Sequence, residues 1–548
     1  MPTVVSGIPA VHRFAKVLSL ATGVALGLAL LPIWRLALDT PFRLIDDYLS
    51  WRDAVALHPL HYLRSLAFDF SGQRYRPVSD LGNLVCWSLL STHYRLHHAV
   101  RLVLKVVAFW FFWRTVAAVA RPLVTRWAEV GAPLFAWALA LFFYFPNNPE
   151  ARLIPQELAT ALALCWFTWA LTGPSVASRF GYLNALASFI VFCLAKEPNA
   201  IAAVGLLLWL GWELARTRSR HRFLTFVPFL VVLVHTAVKV ALASRVAEYG
   251  NAPISVGLVM ANLRFAGRVI LLPFASPWLT VALAAPLIAL MRPAVAQARA
   301  LVTRERERAG PCGVLFLALS TCLLLVAFLT SWIPVLRYAY PATVGCLALN
   351  CVGVAVIADR AAARWQGSTV ACTVSVLALA LAGASYHNVA CQFASQSVAG
   401  RSERRVLDRA GQLLAAGSAV GVGQGTEFEW SLATYFNDFL PHFGGGRQRV
   451  ATDPDALAAA TYLVSRTPSV EGWSAAETIP PAPLPRLLSL ARPVSSILQL
   501  RRREPYVFLD TGAQPIAYFP WYILRNVRGD RGYPGAAPPV GAEPPTAG

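Results

Sequence analysis

The chain has 548 residues, of which 56% are hydrophobic and only 14% are charged, whereas soluble domains carry about 25% charged residues. Its mean hydropathy is +0.52, and its apolar segments are continuous instead of alternating, which predicts membrane-spanning helices and argues against an outer-membrane barrel. The formal net charge is +20, but the basic residues cluster in short loops between apolar segments, as the positive-inside rule predicts. We therefore expect no nucleic-acid partner.

Eleven apolar segments are long enough, or nearly so, to cross a bilayer as helices. The first has no small-residue cleavage site at its end, so we expect it to remain as a signal-anchor. The segments run over 17–38, 97–119, 131–147, 156–172, 181–196, 198–214, 223–243, 275–292, 312–332, 341–358 and 369–387.

Arginines and lysines in the loops set the expected orientation. With eleven spans, the basic residues at 121–126, 216–222, 299–308 and 360–364 all fall on the same side as the N-terminus, which predicts that this side is cytoplasmic. The loop 39–96 and the C-terminal region then lie on the opposite side. We expect an integral protein of a bacterial inner membrane, with its active face and its C-terminal domain outside the cytoplasm.

We expect residues 1–387 to form the membrane domain, with a long first outer loop at 39–96. That loop has two amphipathic stretches, at 51–66 and 80–92, which are typical of helices that lie on a membrane surface. The predicted fold class is therefore an α-helical polytopic membrane protein.

The composition changes after residue 387. Short apolar runs at 419–422 and 462–464 are separated by helical patterns such as 402–416, which predicts a small extracytoplasmic α/β domain over 388–528. The last stretch, 529–548, is rich in proline and glycine, so we expect it to be a disordered tail.

Two adjacent acids, Asp46 and Asp47, follow the first apolar segment and precede Tyr48. Adjacent carboxylates at a membrane surface repel each other. A protein keeps such a pair to bind water, to hold a cation or to transfer a proton. One interpretation is a solvated loop start that caps the helix near 51–66, and the other is a catalytic base. The residues by themselves favour neither.

Basic residues with phosphate-binding character occur at two further places on the same side. Arg74 and Arg76 precede Pro77, and because arginine pairs bidentately with phosphate, they predict a rigid phosphate site or, alternatively, a contact to lipid headgroups. Lys196 and Glu197 lie between two apolar runs, where an ion pair is costly unless it lines a cavity or the interface. A structural pair and a direct binding role both fit.

Two more polar groups complete the set of candidates. Glu150 lies in a polar turn between two apolar segments, where it would orient a substrate hydroxyl or help to hold a cation, with a plain turn as the alternative. Arg337 and Tyr338 precede the tenth segment. An arginine between aromatic residues suits a lipid phosphate or pyrophosphate, and the alternative is an aromatic-belt anchor with a snorkelling arginine.

These residues occur in a recognisable order. The order is Leu44-Ile45-Asp46-Asp47-Tyr48, Arg74-Tyr75-Arg76-Pro77, His97-His98-Ala99-Val100-Arg101-Leu102, Phe145-Pro146 with Glu150, Lys196-Glu197 and Arg337-Tyr338-Ala339-Tyr340-Pro341. In the order of these motifs, and in their expected location on one side of the membrane, residues 17–360 resemble the GT-C superfamily of membrane glycosyltransferases. The resemblance is closest to the branch of the protein O-mannosyltransferases and the transmembrane mannosyltransferases.

The resemblance implies an inverting enzyme that takes a sugar from a polyprenyl-phosphate-type carrier in the membrane and transfers it to a glycan, lipid or protein acceptor. Asp46 or Asp47 then matches the general base, or an acid that helps to bind Mg or Mn, although no cofactor is required. The implied substrate- and phosphate-binding residues are Arg74, Arg76, Glu150, Lys196, Glu197, Arg337 and Tyr338. A transporter or flippase for lipid-linked sugars, and a non-catalytic assembly factor, are the alternatives.

Overall fold

The computed structural model describes most of the helical part of the chain and much of the C-terminal region. The residues it describes are 8–42, 44, 47, 51, 77–145, 155–172, 178–195, 199, 203–204, 207, 224–243, 255–271, 277–303, 310–327, 336–423, 427–442, 449–483, 485–487, 490, 493–494, 497 and 520–527. The predicted surface helix at 51–66 and the predicted tail at 529–548 therefore lie almost entirely outside the described residues.

Twelve helices make up the larger part of the described chain. In chain order they are α1 (Ile8–Leu38), α2 (Pro77–Leu90), α3 (Tyr94–Ala120), α4 (Trp127–Tyr144), α5 (Pro155–Thr172), α6 (Arg179–Ala195), α7 (Val227–Ala243), α8 (Val256–Leu271), α9 (Pro277–Thr303), α10 (Pro311–Ala327), α11 (Leu336–Arg364) and α12 (Gly367–Ala415).

Six of these helices, namely α1, α3, α4, α9, α11 and α12, are long and apolar enough to cross a membrane, and five others are shorter apolar helices. Ten of the eleven predicted spans coincide with described helices. The exception is 198–214, which lies mostly outside the described residues. The predicted class of polytopic helical membrane protein is confirmed.

The chain folds into two compact units. The first, which we call the membrane unit, comprises Met1–Thr40, Asp53–Ser397 and Leu484–Gln514, and the second, the sheet unit, comprises Pro41–Arg52, Val398–Pro483 and Pro515–Gly548. The helical pattern predicted over 402–416 is the end of α12, a single helix of 49 residues that also contains the last predicted span.

Asn350 joins three spans in the core of the membrane unit. Pro286 in α9 has no amide hydrogen, so the carbonyl of Ala282, four residues earlier, loses its helical partner. The Asn350 side-chain amide donates to that carbonyl at 3.2 Å and accepts from Trp137 Nε1 of α4 at 2.8 Å. Gly353, further along α11, makes the approach to α9 possible, because a Cβ atom there would collide with the Pro286 carbonyl.

A second polar contact fixes the C-terminal end of α3. The carboxylate of Asp359 on α11 accepts a hydrogen bond from the Thr125 hydroxyl at 3.1 Å and from the backbone amide of Arg126 at 2.8 Å. The Arg126 guanidinium donates to the carbonyl of Ala362. The turn between α3 and α4 is thereby held against the end of α11, at the end of the unit that carries the basic loop residues.

The sheet unit contains four strands: β1 (Val420–Val422), β2 (Tyr462–Ser465), β3 (Trp473–Ile479) and β4 (Trp521–Asn526). Their order is β1-β2-β4-β3; β1 and β2 are parallel, whereas β4 is antiparallel to both of its neighbours. The runs predicted as strands at 419–422 and 462–464 are β1 and β2, and the small α/β region is confirmed.

Short helices complete the sheet unit. They are α13 (Glu427–Thr434), which continues as a wider turn over Tyr435–Phe439, and α14 (Pro454–Ala459). Gly421 lies inside β1, and a Cβ atom there would come within 2.6 Å of Leu457 on α14. This glycine therefore allows close packing of α14 on the sheet.

Candidate functional site

The structure describes three of the predicted site residues. Asp47 is described with its side chain, whereas for Arg337 and Tyr338 the structure gives only the helical backbone of the first turn of α11. The others lie outside the described residues, and their roles stay predictions. They are Asp46, Arg74, Arg76, Glu150, Lys196 and Glu197.

Asp47 lies in a part of the chain that packs within the sheet unit. Its side chain is buried, at 2% relative exposure, so it is not part of a solvated loop surface. Three residues earlier, the backbone amide of Leu44 donates a hydrogen bond to the carboxylate of Glu403 at 2.8 Å. Glu403 is itself buried on α12. A buried acid of the C-terminal region thus fixes the chain that carries the predicted base.

Aromatic packing holds the other side of the acidic segment. Trp51, four residues after Asp47, meets the ring of Phe439 edge-on, with 5.0 Å between the centroids. The ring of His442 lies 5.4 Å from Trp51, and Tyr435 stacks on Phe439 at 5.5 Å. Leu44 and Trp51, which flank Asp47 in the sequence, are therefore both held by contacts within the sheet unit.

In the membrane unit, a hydrogen bond joins the beginning of α2 to the end of α6. The Ser79 hydroxyl donates to the carbonyl of Ala195, the last residue of α6, at 2.8 Å. Ser79 follows Arg76 by three residues, and Ala195 directly precedes Lys196. Two described residues that are far apart in sequence, each close in sequence to a predicted cation, are therefore in contact.

The first turns of α3 carry a buried basic face at the same end of the unit. His98 Nε2 lies 3.0 Å from the carbonyl of Thr40, which can only accept, so this nitrogen carries the hydrogen. His98 Nδ1 is then an acceptor, and it faces Arg101 Nη1 at 3.5 Å. This chain of contacts fixes both Thr40, just after the end of α1, and the buried guanidinium of Arg101.

The charge of Arg101 also acts on α2. Burial raises the pKa of the Cys86 thiol, and the nearby Arg101 guanidinium partly offsets this effect by favouring the thiolate. On the same side of α3, the ring of His97 lies 4.5 Å from the ring of Trp87, and His97 Nε2 lies 3.0 Å from the carbonyl of Ser91. The helix α2 thus covers the first basic turn of α3.

Lys105 extends this basic face deeper into the membrane unit. It is eleven residues from Tyr94, where α3 begins, which corresponds to about 16 Å along a helix. Only 2% of Lys105 is exposed, and its Nζ lies 5.6 Å from the centroid of Phe143 and 5.8 Å from that of Phe393. A lysine at the centre of a membrane helix costs about 2.5–3.5 kcal/mol on insertion scales, so buried cations of this kind mark functional sites.

Arg101 and Lys105 are not among the site residues predicted from the sequence, although their spacing carries a signal. His97, Arg101 and Lys105 recur at intervals of four residues, which places their side chains on one face of a helix. The apolar residues between them masked this pattern. The buried face of α3 formed by His97, His98, Arg101 and Lys105 is called the basic face below.

Among the described residues, no group of three or more His, Cys, Asp or Glu side chains is placed to hold a metal ion. Of the acids predicted to bind Mg or Mn, Asp47 is the one that the structure describes. The nine cysteines form no disulfide, and Cys165, Cys193, Cys322 and Cys346 are buried among apolar side chains.

The sequence matches no family model and no curated protein. Among solved structures, the chain is similar to ArnT from Cupriavidus metallidurans. The apo form is 16% identical over 80% of this chain and 92% of the ArnT chain, with a TM-score of 0.45. The form bound to undecaprenyl phosphate is 14% identical over 91% of this chain and 97% of the ArnT chain, with a TM-score of 0.44.

Proposed function

We propose that this integral membrane protein is an inverting glycosyltransferase of the GT-C type, which moves a sugar from a polyprenyl-phosphate-type carrier to an acceptor at the non-cytoplasmic face. The observation that carries the proposal is the basic face of α3, with buried Arg101 and Lys105. The hydrogen bond from Ser79 to Ala195 at 2.8 Å supports it, because these two residues lie three and one positions from Arg76 and Lys196 in the sequence.

The chemistry explains why cations are needed. The acceptor oxygen attacks the anomeric carbon from the side opposite the carrier, and the bond from that carbon to the phosphate oxygen breaks with its electron pair on the phosphate. The leaving phosphate gains negative charge, which fixed cations in a site without water stabilise strongly. Arg101 and Lys105 join the predicted set of Arg74, Arg76, Lys196 and Arg337 in this role.

The acidic pair supplies the base. The acceptor hydroxyl loses its proton to a carboxylate as its oxygen attacks, and we assign this step to Asp46, with Asp47 in support. The burial of Asp47 and the anchoring of Leu44 by Glu403 favour a catalytic role over a solvated cap, because a cap at a loop surface needs neither. Glu150, Glu197 and Tyr338 remain proposed substrate-binding residues.

The basic residues at the two ends of α3 support the proposed orientation of the protein in the membrane. The α3 helix begins at Tyr94 with the basic face and ends near Arg121 and Arg126, and the positive-inside rule assigns the latter end to the cytoplasm. The basic face and the acidic pair then belong to the non-cytoplasmic side. Membership of the branch of the protein O-mannosyltransferases stays a prediction.

A transporter of lipid-linked sugars is the second candidate, because Lys105 is an ionisable residue inside a span, as transport pathways require. The leaflet in which the donor accumulates separates the two candidates. Loss of a transferase leaves the lipid-linked sugar in the outer leaflet, where periodate added to sealed cells oxidises it. Loss of a transporter leaves it in the inner leaflet, protected from periodate.

The experiment compares cells that carry the wild-type protein, Lys105→Met or Arg114→Met. Arg114 is a control on the same helix, because its exposed guanidinium lies over the rings of Trp110 and Trp169. We expect Lys105→Met to accumulate a polyprenyl-linked sugar that periodate destroys, and Arg114→Met to behave as wild type. Accumulation of a periodate-resistant donor would instead identify a transporter, and no accumulation in Lys105→Met would contradict both.

A further inference from the structure

His98 connects the end of α1 to Arg101 on α3. The carbonyl of Thr40 that faces His98 Nε2 is held in place, because the Thr40 amide donates to the carbonyl of Ala37 at 3.1 Å and the Thr40 hydroxyl donates to that of Leu36 at 2.8 Å. Thr40 is also buried, at 4% relative exposure. The last turn of α1 therefore offers His98 a fixed acceptor.

The two ring nitrogens of His98 have different roles in this connection. Nε2 carries the hydrogen, since it lies 3.0 Å from a carbonyl, and Nδ1 is then the acceptor that faces Arg101 Nη1 at 3.5 Å. A hydrogen on both nitrogens would place a positively charged ring against the guanidinium. The contact with Arg101 therefore requires the neutral ring with its hydrogen on Nε2.

A hydrogen bond at Nη1 restricts the orientation of the Arg101 guanidinium. The group is planar and its five N–H donors point in fixed directions within that plane, so holding one nitrogen limits the directions of the others. Arg101 and His98 are both buried, at 8% and 6%. Because ordering a long side chain during binding costs affinity, a guanidinium that is ordered beforehand binds a phosphate more tightly.

We infer that His98 is a positioning residue, which orients Arg101 for the carrier phosphate by tying its guanidinium to the end of α1. The inference rests on the proposed function for the role of Arg101, and it adds a residue that acts through Arg101 and not on the phosphate itself. Nδ1 carries the effect on Arg101, and Nε2 carries the attachment to α1. Replacing one nitrogen at a time therefore separates the two contacts.

The test compares the binding of farnesyl phosphate by the purified full-length chain with that of farnesol, which has the same chain and no phosphate. The ratio of the two affinities, from native mass spectrometry or from the shift in thermal unfolding, isolates the contribution of the phosphate. We expect the wild type to bind farnesyl phosphate at least about tenfold more tightly, since charge-assisted hydrogen bonds form with the phosphate alone.

Two substitutions of His98 each keep one of its hydrogen-bonding positions. The side-chain oxygen of asparagine lies as many bonds from Cβ as Nδ1 does, and the amide nitrogen of glutamine matches Nε2 in the same way. His98→Gln should keep the contact to Thr40 but lower the affinity ratio about three- to tenfold, because Arg101 loses its acceptor. His98→Asn still accepts from Arg101 and should lose less than about twofold.

Tyr386→Phe is the matched control in the same unit. The Tyr386 hydroxyl donates to the carbonyl of Ala29 on α1 at 3.0 Å, so this substitution removes a hydrogen bond to α1 of the same length as the one from His98. Its affinity ratio should equal that of the wild type. Equal losses in Tyr386→Phe and His98→Gln would attribute the effect to the packing of α1 and would overturn the inference.

A double-mutant cycle shows whether His98 acts through Arg101. Arg101→Gln should lower the ratio at least as much as His98→Gln, and the double variant should lose no more than Arg101→Gln alone. Additive losses, or a loss in His98→Asn as large as in His98→Gln, would overturn the inference. If His98→Gln is not monodisperse, His98→Asn decides, because a loss equal to that of Arg101→Gln would overturn the inference as well.

The affinity ratios separate this inference from the proposed function. An unchanged ratio in His98→Gln, with a lower ratio in Arg101→Gln, would refute the role of His98 and leave the proposed function intact. An unchanged ratio in Arg101→Gln would refute the role of Arg101 and the inference with it. Binding ratios as expected, in a protein that transfers no sugar in cells, would contradict the proposed function and support the inference.

Discussion

The backbone amide of Leu44 donates a 2.8 Å hydrogen bond to the carboxylate of Glu403, across 359 residues of sequence. Both residues are buried, with exposures of 0% and 3%. A carboxylate in such a place is costly unless its oxygens are hydrogen-bonded, and the amide meets part of that requirement. The contact thereby couples the geometry of the acidic segment to the folding of the C-terminal region.

Removal of the Glu403 carboxylate should lower activity because it allows Asp47 to shift. We expect Glu403→Leu to destabilise the sheet unit by about 1–3 kcal/mol, because a buried amide loses its partner, and to lower sugar transfer as Asp47 shifts. Glu403→Gln keeps an oxygen that can accept from Leu44 and should lose less of both. The measurements are protease resistance of the full chain and sugar incorporation per unit of protein. Equal losses in the two variants would argue against the role of this contact.

The acidic pair should be needed for chemistry and not for folding. We expect Asp46→Asn and Asp47→Asn each to lower transfer about 100-fold or more, in line with the contribution of a general base, while protein levels in the membrane stay the same. Asp39→Asn is the control. Asp39 pairs with Arg95 at 3.0 Å with both side chains exposed, and such pairs contribute at most about 1 kcal/mol. Full activity in both pair variants would refute the assignment.

Asn350 and Pro286 should be energetically coupled. Asn350→Leu leaves the carbonyl of Ala282 without its donor, so we expect a loss of about 1 kcal/mol or more in the stability of the membrane unit. In a Pro286→Ala background, the new amide can donate to Ala282, and the same substitution should cost less. A double-mutant cycle on thermal unfolding in detergent measures the difference. Identical costs in the two backgrounds would contradict the coupling.

The sheet unit should lose stability in strong base through Tyr435. Burial raises the pKa of this phenol, the charge of Asp408 adds to the rise, and the charge and hydrogen bond of Arg404 oppose it. Below the unfolded pKa of about 10 the contribution to stability is complete. As the pH rises further, the unfolded phenol ionises first, so stability falls until the folded pKa is passed.

Tyr435→Phe removes this titration. Its unfolding free energy between about pH 9 and 11 should therefore fall less steeply than that of the wild type, since other tyrosines titrate equally in both proteins. The measurement is the protease resistance of the sheet unit in the full chain across this range. Parallel curves for the two proteins would show that the buried phenol makes no such contribution.

Local patterns predicted the elements but not their long-range pairing. The apolar runs at 419–422 and 462–464 became β1 and β2, and the apolar segments became helices, because hydrophobic length and periodicity act locally. The place of β4 between β2 and β3 depends on contacts between distant segments. Nothing in its own sequence, Trp521–Asn526, specifies those neighbours.

Single residues of the candidate site were also not predicted where their burial depends on contacts with distant segments. Glu403 lies in the charged run Arg401–Arg405, which is typical of a solvated helix face, and its burial comes from the segment around Leu44 that folds against it. Lys105 was not recognised as a site residue because a single cation in an apolar run does not lower the hydropathy of a span enough to interrupt it. Its spacing from Arg101 carried the signal, and the burial of both residues gives that spacing its meaning.

The proposed transfer of a sugar from a polyprenyl-phosphate carrier can be tested by mass spectrometry of cell-envelope glycans and glycoproteins from otherwise identical cells with and without the protein. We expect cells without the protein to lack one sugar at one linkage and to accumulate the polyprenyl-linked form of that sugar. Identical glycans and identical lipid-linked sugars in the two samples would contradict it.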